Sequence, residues 1–246
     1  MTHEIVILGG GTGGTLTANR LRAAYTPEQA HITVVDQDDH HVYQPGLLFV
    51  PFGLTYPADI VKPRHRQLHA NIDFHQSDID HVDIEARTVE LTDGDVLSYD
   101  VLVVATGARL LPEETEGLAD LDTLPNVHTF YTLEGATRLD RSLNEFTEGR
   151  LVINVVDMPI KCPVAPLEFA FLADSFFTEH KRRDKVTITY VTPLDAAFTK
   201  PTAAKTLGGM LEERGIELVT EFNTGEVDAE GGRLVSYDER DRKSVV

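Results

Sequence analysis

The spacing of hydrophobic residues along the chain predicts strands and helices in alternation. Glu4–Leu8 and His31–Asp36 are short β-branched runs, and Thr15–Tyr25 between them carries apolar residues at helical spacing. This order predicts a βαβ unit with parallel strands and a right-handed crossover. A second unit is predicted by strand patterns at Leu151–Val156, Val186–Val191 and Ile216–Thr220, with helical patterns at Leu167–Phe177 and Thr202–Arg214.

The region after the first unit contains shorter strand patterns. Ile79–Ser98 consists of alternating pieces around the turn signal Asp93-Gly94, which predicts a small antiparallel meander. Tyr99–Ala105 is a continuous apolar run, as expected of a strand buried in a parallel sheet.

One acidic stretch predicts where the chain divides. Leu110–Asn126 contains prolines and a glycine and is typical of a linker or surface loop. We therefore expect one domain at residues 1–110 and a second at residues 111–246. The predicted fold class is α/β, with two Rossmann-like βαβ units and the small meander.

A glycine-rich loop lies between the first predicted strand and helix. Gly9 permits a tight turn, Gly11 lets a pyrophosphate approach the helix N-terminus, and Gly14 lets helix and strand pack closely. Asp36 ends the next strand, where a carboxylate can accept hydrogen bonds from ribose hydroxyls. A turn that only joins strand and helix is the alternative to a dinucleotide site. The predicted binding residues here are Gly9, Gly11, Thr12, Gly13, Gly14 and Asp36.

The charge balance and the cysteine count narrow the classes of function. The chain has 22 Lys and Arg against 40 Asp and Glu, and its net charge of −18 repels phosphate backbones, so nucleic-acid binding is not expected. The single Cys162 cannot form an internal disulfide. With no secretory signal and no long apolar run, a cytoplasmic location is expected, and peripheral membrane contact stays open.

The loop after the strand at Leu151–Val156 contains no glycine. It runs through Asp157–Pro166 and includes three prolines, which lack the amide donors that a phosphate needs. The second unit is therefore not expected to bind NAD(P)H. Cys162 lies in this loop, at the place where a nucleotide would otherwise bind. Lys161 and the N-terminus of the following helix would stabilise its thiolate.

Ala105-Thr106-Gly107, at the end of a predicted strand, resembles the Ala-Thr-Gly signature of the two-dinucleotide-binding-domain flavoproteins. In that superfamily the first nucleotide site holds FAD. The resemblance therefore implies FAD as the cofactor and adds Ala105, Thr106 and Gly107 to the cofactor-binding residues.

Two further segments resemble those of the sulfide:quinone oxidoreductase family. The first is Tyr43-Gln44-Pro45-Gly46, and the second is Lys161-Cys162-Pro163 followed by Pro166-x-Glu168-Phe169-Ala170. The overall resemblance extends from His3 to about Leu234. The resemblance implies that Cys162 carries sulfane sulfur beside the flavin and that Glu168 handles protons. It also implies that Gln44 and Pro45 border the flavin ring and that the backbone near Ile79 holds the adenine.

The sequence departs from this family in its cysteines and in its length. Members use a second cysteine far toward the C-terminus, which these 246 residues lack, and some carry another near Tyr131. The late flavin segment and the C-terminal amphipathic helices for quinone and membrane are also missing. We expect an N-terminal part of a longer protein or a natural truncation, with Asp238–Lys243 as an exposed hairpin or ragged end. Sulfide and quinone are the expected substrates, and a homo-oligomer stays open.

Two other functions fit parts of the sequence. Type II NADH:quinone oxidoreductases share His41-x-Tyr43-Gln44-Pro45, but the missing second glycine loop argues against NADH. A non-catalytic FAD-binding fragment is the other alternative.

Some candidate residues also have structural interpretations. Glu168 lies near the start of its predicted helix, and a carboxylate there stabilises the helix dipole, which explains this residue equally well. The histidines show no metal-ligand spacing with cysteine, so no metal is expected, and Arg64–Arg66 is expected to be a solvated basic spot.

Overall fold

A computed structural model describes residues 2–237, which fall into two compact units. The first unit contains the chain up to Tyr43 together with Ala58–Leu110. The second contains Gln44–Pro57 and the chain from Leu111 onward. A short segment inside the first half of the sequence therefore belongs to the second unit. The hairpin or ragged end expected at Asp238–Lys243 lies outside the described residues.

Strands and short helices dominate the first half of the chain. Its strands are β1 His3–Leu8, β2 Ala30–Asp36, β3 His40–Val42, β4 Val61–Pro63, β5 Asp73–Gln76, β6 Ile79–Asp83, β7 Thr88–Leu91, β8 Val96–Ser98 and β9 Val101–Val104. Its helices are α1 Thr12–Ala24 and the single turn α2 Pro57–Ile60, with 3-10 turns at Gln44–Leu48, Val50–Phe52 and Arg64–Gln67.

Longer helices appear in the second half. They are α3 Leu133–Glu145, α4 Ala165–Glu179 and α5 Pro201–Glu213, with 3-10 turns at Pro112–Glu114 and Arg183–Lys185. The strands are β10 Gly149–Asn154, β11 Val186–Val191, β12 Glu217–Val219, β13 Thr224–Asp228 and β14 Arg233–Ser236.

The first unit is built on a parallel sheet with the strand order β5-β2-β1-β9. β1 and β2 pair in register from His3 with Ala30 to Leu8 with Val35, and α1 connects them. Ile7 and Ile32 are completely buried, because these central strands have neighbours on both edges and cover on both faces. The predicted first βαβ unit is confirmed.

The antiparallel meander is also present, formed by β6, β7 and β8. Gly94 has a φ of +96° between β7 and β8, which the Asp93-Gly94 turn signal predicted. Val89 and Leu91 of the meander pack against Val6 and Leu8 of the parallel sheet. The meander thereby closes one face of that sheet.

One expectation about the first sheet was wrong. β9 pairs parallel with β1 as predicted, but it is the last strand in the sheet order. Val101 and Val104 are 47% and 69% exposed, so the strand is not buried. A strand with a single neighbour leaves one edge without cover, and an apolar run alone does not distinguish an edge strand from a central one.

The second unit contains a parallel sheet with the order β10-β11-β12, and β13 and β14 form an antiparallel pair. The second predicted βαβ unit is therefore confirmed. Its core gathers aromatic rings of α4, with Phe177 fully buried and Phe169 only 3% exposed. Phe52, from the segment Gln44–Pro57, lies 4.9 Å from the ring of Phe169 and shows how that segment is held in the second unit.

Helix α3 was not predicted from the sequence, although local signals for it exist. The Thr132 side chain caps its start by accepting a hydrogen bond from the Gly135 amide. Ala136, Leu139 and Leu143 then fall on one buried face at helical spacing.

Candidate functional site

The glycine loop after β1 is built by close approaches between main-chain atoms. Gly9 has a φ of +93°, and a side chain there would collide with the Ala105 carbonyl. A side chain at Gly14 would collide with the Gly9 carbonyl. At Gly11, in contrast, nothing lies within 4 Å of where a Cβ would be. Two glycines are therefore needed by the fold itself, and Gly11 leaves open space at the start of α1.

The start of α1 leaves backbone donors available. Gly11 is the N-cap residue and provides no side chain to bond the amides of the first turn, which includes Thr12 and Gly13. No acidic side chain lies in that turn. A helix N-terminus with free amides and open space in front of it suits a phosphate group.

Ala105-Thr106-Gly107 follows β9 directly and lies beside this loop. The Ala105 amide donates to the Leu8 carbonyl at 2.7 Å, which continues the pairing of β9 with β1. Gly107 turns the chain with a φ of +76°. The structure thus brings together the two motifs on which the FAD prediction depended.

Asp36 lies at the end of β2, and its carboxylate is engaged within the chain. Oδ2 accepts a hydrogen bond from the Gly10 amide at 2.6 Å and lies 3.2 Å from Nη1 of Arg64. Oδ1 receives only a long contact of 3.4 Å from the Asp38 amide. One oxygen therefore orients the carboxylate, and the other is placed to accept from a sugar hydroxyl.

The expectation of a solvated basic spot at Arg64–Arg66 is wrong for Arg64. Its side chain is only 8% exposed, and Nη2 contacts Asp38 Oδ1 at 3.1 Å and the His40 carbonyl at 2.8 Å. Its aliphatic part also fills the space next to Gly10, where a Cβ would collide with it. Arg64 is therefore a buried cation that organises the acidic end of β2. Its contacts join residues more than twenty positions apart, which a local pattern does not reveal.

The remaining residues predicted to bind the cofactor are placed as follows. Ile79 opens the meander opposite Leu91 and is half-buried against the first sheet. Gln44 and Pro45 begin the 3-10 turn Gln44–Leu48 in the second unit, and both are exposed. Their roles toward adenine and flavin stay predictions.

The thiol loop, defined as residues 155–164, joins β10 to α4. Cys162 is exposed, is not in a disulfide, and has a φ of +56°. Its carbonyl accepts hydrogen bonds from the Ala165 amide at 3.0 Å and from the Tyr131 hydroxyl at 3.3 Å. The sulfur-bearing residue therefore lies directly before α4, in a turn that a distant tyrosine contacts.

Glu168 lies in the first turn of α4 and is exposed. It contributes to the environment of Tyr131, where burial first, and then the nearby Cys162 and Glu168, together raise the pKa to about 12. The phenol thus stays protonated across the physiological range and remains a donor. Cys162, Glu168 and Tyr131 form one constellation, of which the sequence indicated the first two.

Three side chains of the first unit approach each other closely enough to share a cation. Nε2 of His75 lies 2.7 Å from Asp93 Oδ2 and 3.8 Å from Asp95 Oδ2. The hydrogen bond from His75 is the main cause that lowers the pKa of Asp93. A hydrogen bond between β5 and the turn after β7 accounts for the shorter of these contacts.

The first unit thus has the features of a dinucleotide-binding oxidoreductase domain, and the comparison with known families agrees. The chain matches the pyridine nucleotide-disulphide oxidoreductase family over residues 3–245, and it belongs to this family. FAD is the cofactor of these flavoproteins, which confirms at family level the cofactor predicted from the sequence. The open space at Gly11 and Oδ1 of Asp36, which receives only one long contact, fit such a dinucleotide.

Individual proteins refine this assignment. The mitochondrial sulfide:quinone oxidoreductase of Mus musculus is 24% identical over 225 residues, which cover 92% of this chain and 50% of that protein. The structure of the sulfide:quinone oxidoreductase from Aquifex aeolicus has a TM-score of 0.86 at 23% identity, covering 99% of this chain and 56% of that one. A type II NADH:quinone oxidoreductase of Staphylococcus aureus is 28% identical over 118 residues, which cover 48% of this chain and 29% of that protein.

These similarities confirm the predicted family resemblance and fold class. The chain spans about half the length of the curated sulfide:quinone oxidoreductases it matches. Within residues 2–237, every helix is too short or too polar to span a lipid bilayer.

Proposed function

We propose that this chain is the flavin- and thiol-bearing part of a flavoenzyme that oxidises sulfide and reduces a quinone. FAD supplies a two-electron acceptor that can pass its electrons on to a quinone. The first unit would hold the FAD, and the second would be a nucleotide-binding-like domain that has lost its dinucleotide site. The observation that carries the proposal is the exposed thiol of Cys162 in the loop where that site would be.

The thiol loop does not suit a second dinucleotide. Met158 and Ile160 flank Pro159, and Pro163 and Pro166 follow, so three of the positions near the helix N-terminus lack an amide donor. The loop also contains no glycine that would let a pyrophosphate approach the backbone. A donor other than NAD(P)H is therefore favoured.

The groups around Cys162 suit an anionic sulfur substrate. Hydrosulfide is a soft nucleophile, and Lys161 provides a cation next to the thiol in sequence. Forming a persulfide from the Cys162 thiolate and hydrosulfide would make one S–S bond, break the S–H bond of hydrosulfide and release one proton and two electrons, for which bound FAD would be the acceptor. Glu168 would accept the proton, and reduction of the quinone would consume the two electrons together with this proton and a second one from water. Cys162 thereby acts as the carrier of sulfane sulfur.

The proposal keeps the location and the partners expected from the sequence. Sulfide and a quinone are small-molecule substrates, and the quinone is dissolved in a membrane. A cytoplasmic protein with peripheral membrane contact would reach both.

An absorbance experiment tests the proposed function. In the flavin-loaded protein, sulfide should bleach the flavin absorbance and NADH should not, and added quinone should restore the absorbance. Cys162→Ala should keep its flavin, because the thiol holds no part of the dinucleotide, yet sulfide should no longer bleach it. Dithionite should still reduce the flavin in this variant and serves as the control.

Three results would overturn the proposal in different ways. Full sulfide-dependent quinone reduction by Cys162→Ala would remove the sulfur role of this residue. Bleaching by NADH would favour the type II NADH:quinone oxidoreductase reading. A yellow protein that transfers electrons from neither donor would support a non-catalytic FAD-binding protein.

A further inference from the structure

Tyr131 contacts the Lys161-Cys162 turn in two ways. Its hydroxyl donates a hydrogen bond to the Cys162 carbonyl at 3.3 Å. The Lys161 ammonium lies over its ring, 5.8 Å from the centroid, within the range of a cation–π interaction. One side chain, 31 residues distant in the sequence, therefore contacts both residues at the thiol.

The conformation that Tyr131 contacts is one that cysteine does not favour. A φ of +56° lies in the left-handed region, which is disfavoured for a non-glycine residue because its Cβ approaches the following carbonyl oxygen too closely. Contacts must therefore compensate for this cost. Besides the Tyr131 hydroxyl, the main hydrogen bond to this residue is from the Ala165 amide to the same carbonyl at 3.0 Å.

The ring of Tyr131 is itself fixed by its neighbours. Phe130 lies beside it with a centroid distance of 5.0 Å, and Phe130 stacks on Phe169 of α4 at 4.9 Å with nearly parallel rings. Phe169 is buried in the core of the second unit. The phenol is thus placed by the same helix that begins just after the thiol.

We propose that Tyr131 is a positioning residue for Cys162, holding the turn so that the thiol stays at the N-terminus of α4. Its importance for turnover rests on the proposed function, whereas its effect on the thiol itself does not. Tyr131 touches the carbonyl of Cys162 rather than its sulfur, so it acts through the backbone. Its pKa of about 12 keeps the hydroxyl a donor at every working pH.

The chain has a single cysteine, so a thiol reagent reports on Cys162 alone. The test compares Tyr131→Phe with wild type by the rate of iodoacetamide labelling near neutral pH. The phenylalanine keeps the ring stacking and removes only the hydrogen bond. We expect labelling to slow about twofold to tenfold, because the released turn no longer holds Cys162 in its exposed position just before the N-terminus of α4.

Tyr99→Phe is the matched control. The Tyr99 hydroxyl also donates to a backbone carbonyl, that of Asp83 at 3.4 Å, but it does so in the first unit. Its labelling rate should equal that of wild type, and both variants should keep wild-type circular dichroism. If Tyr131→Phe is labelled as fast as Tyr99→Phe or faster, the positioning role is refuted.

A second measurement separates this inference from the proposed function. In the flavin-loaded protein, Tyr131→Phe should lower the limiting rate of flavin reduction by sulfide and leave FAD affinity unchanged. If sulfide fails to bleach even the wild type while the labelling difference persists, the proposed function falls and the positioning role stands. If the labelling rate of Tyr131→Phe is unchanged while sulfide bleaches the wild-type flavin normally, the positioning role falls and the proposed function stands.

Discussion

The loops after β1 and after β10 occupy the same topological place in two βαβ units, yet they are built differently. The first, Gly9–Gly11, has three residues and passes straight into α1. The second, residues 155–164, has ten residues, no glycine and an exposed thiol at Cys162. Both end at a helix N-terminus, which attracts negative charge. The residues of the loop therefore decide whether that place has open space for a phosphate or carries an exposed thiol.

The two loops also use unusual backbone conformations differently. Gly9 has a positive φ, and a neighbouring carbonyl leaves no room for a side chain. Both features require glycine at this position. Cys162 has a positive φ although it carries a side chain, and hydrogen bonds to its carbonyl hold it. In the first loop the conformation makes space for a ligand. In the second it displays a reactive atom.

The strongest test of this comparison is Gly11→Val. The residue has an ordinary φ of −67° and no chain atom near its Cβ position, so the fold should be kept. The side chain would occupy the space proposed for the pyrophosphate, and FAD affinity should fall at least about 100-fold. Flavin absorbance of the purified protein measures this.

Gly209→Val in α5 is the control, because it too adds a side chain where no chain atom lies within 4 Å. This variant should retain its flavin. If Gly11→Val retains full occupancy as well, the dinucleotide site is misplaced.

A large effect on the free energy of unfolding is expected when Arg64, the buried cation beside Gly10 of the first loop, is replaced. Arg64→Leu leaves Asp36 and Asp38 without their partner, and Asp36 is only 14% exposed. Breaking a buried ion pair on one side costs about 3–5 kcal/mol of unfolding free energy. Urea unfolding measures the change.

The second unit offers a matched arginine for this test. Arg150 lies 2.6 Å from Glu217, but both side chains are more than one-third exposed. Arg150→Leu should cost less than about 1 kcal/mol. Equal losses for the two variants would show that burial does not distinguish these pairs.

Much of the fold follows from local patterns in the sequence. The β-branched runs, the helical spacing and the glycine loop predicted both βαβ units, since each pattern spans fewer than twenty residues. The edge position of β9 was missed because it depends on which strands pair, and no pattern within Tyr99–Ala105 records that. Helix α3 was overlooked despite the capping signal at Thr132.

The candidate site was predictable in its motifs and not in its supporting contacts. Cys162 and Gly11 stand in recognisable segments, whereas Arg64 and Tyr131 act across the fold. Arg64 lies beside His65 and Arg66, and a run of basic residues normally indicates a solvated surface. Only the three-dimensional pairing with acidic groups shows that it is buried.

A smaller effect is expected from the strain at Cys162. Cys162→Gly should be more stable than Cys162→Ala by about 1 kcal/mol, because glycine adopts a φ of +56° without penalty. Thermal unfolding of the two variants gives the difference. At the exposed helical residue Asn144 the order should reverse, with alanine the more stable by about 1 kcal/mol. The same order at both positions would mean that the left-handed turn relaxes when the thiol is removed.

The smallest expected effects are two opposite dependences on pH, one in each unit. In the first unit, hydrogen bonds to Glu4 and then to Asp73 raise the pKa of His31 above 6.5. In the second, burial and then the charge of Arg138 lower the pKa of His128 below 6.5. The stabilising contribution of His31 is therefore complete below pH 6.5 and is lost as pH rises through its raised pKa. That of His128 is complete above pH 6.5 and is lost as pH falls through its lowered pKa.

Urea unfolding of His31→Gln and His128→Gln, each at about pH 5.5 and about pH 8.5, measures these contributions. His31→Gln should be destabilised more at the lower pH, since both ring nitrogens of His31 lie 2.7 Å from a carboxylate and the doubly protonated ring satisfies both. The loss should stay below about 1 kcal/mol, because these side chains are about half exposed and solvent screens them. His128→Gln should lose less stability at the lower pH than at the higher, since only the neutral ring suits its buried place beside Arg138. If the stability loss changes with pH in the same direction for both variants, one of the two histidine environments is assigned wrongly. The variant whose stability loss changes against expectation identifies that histidine.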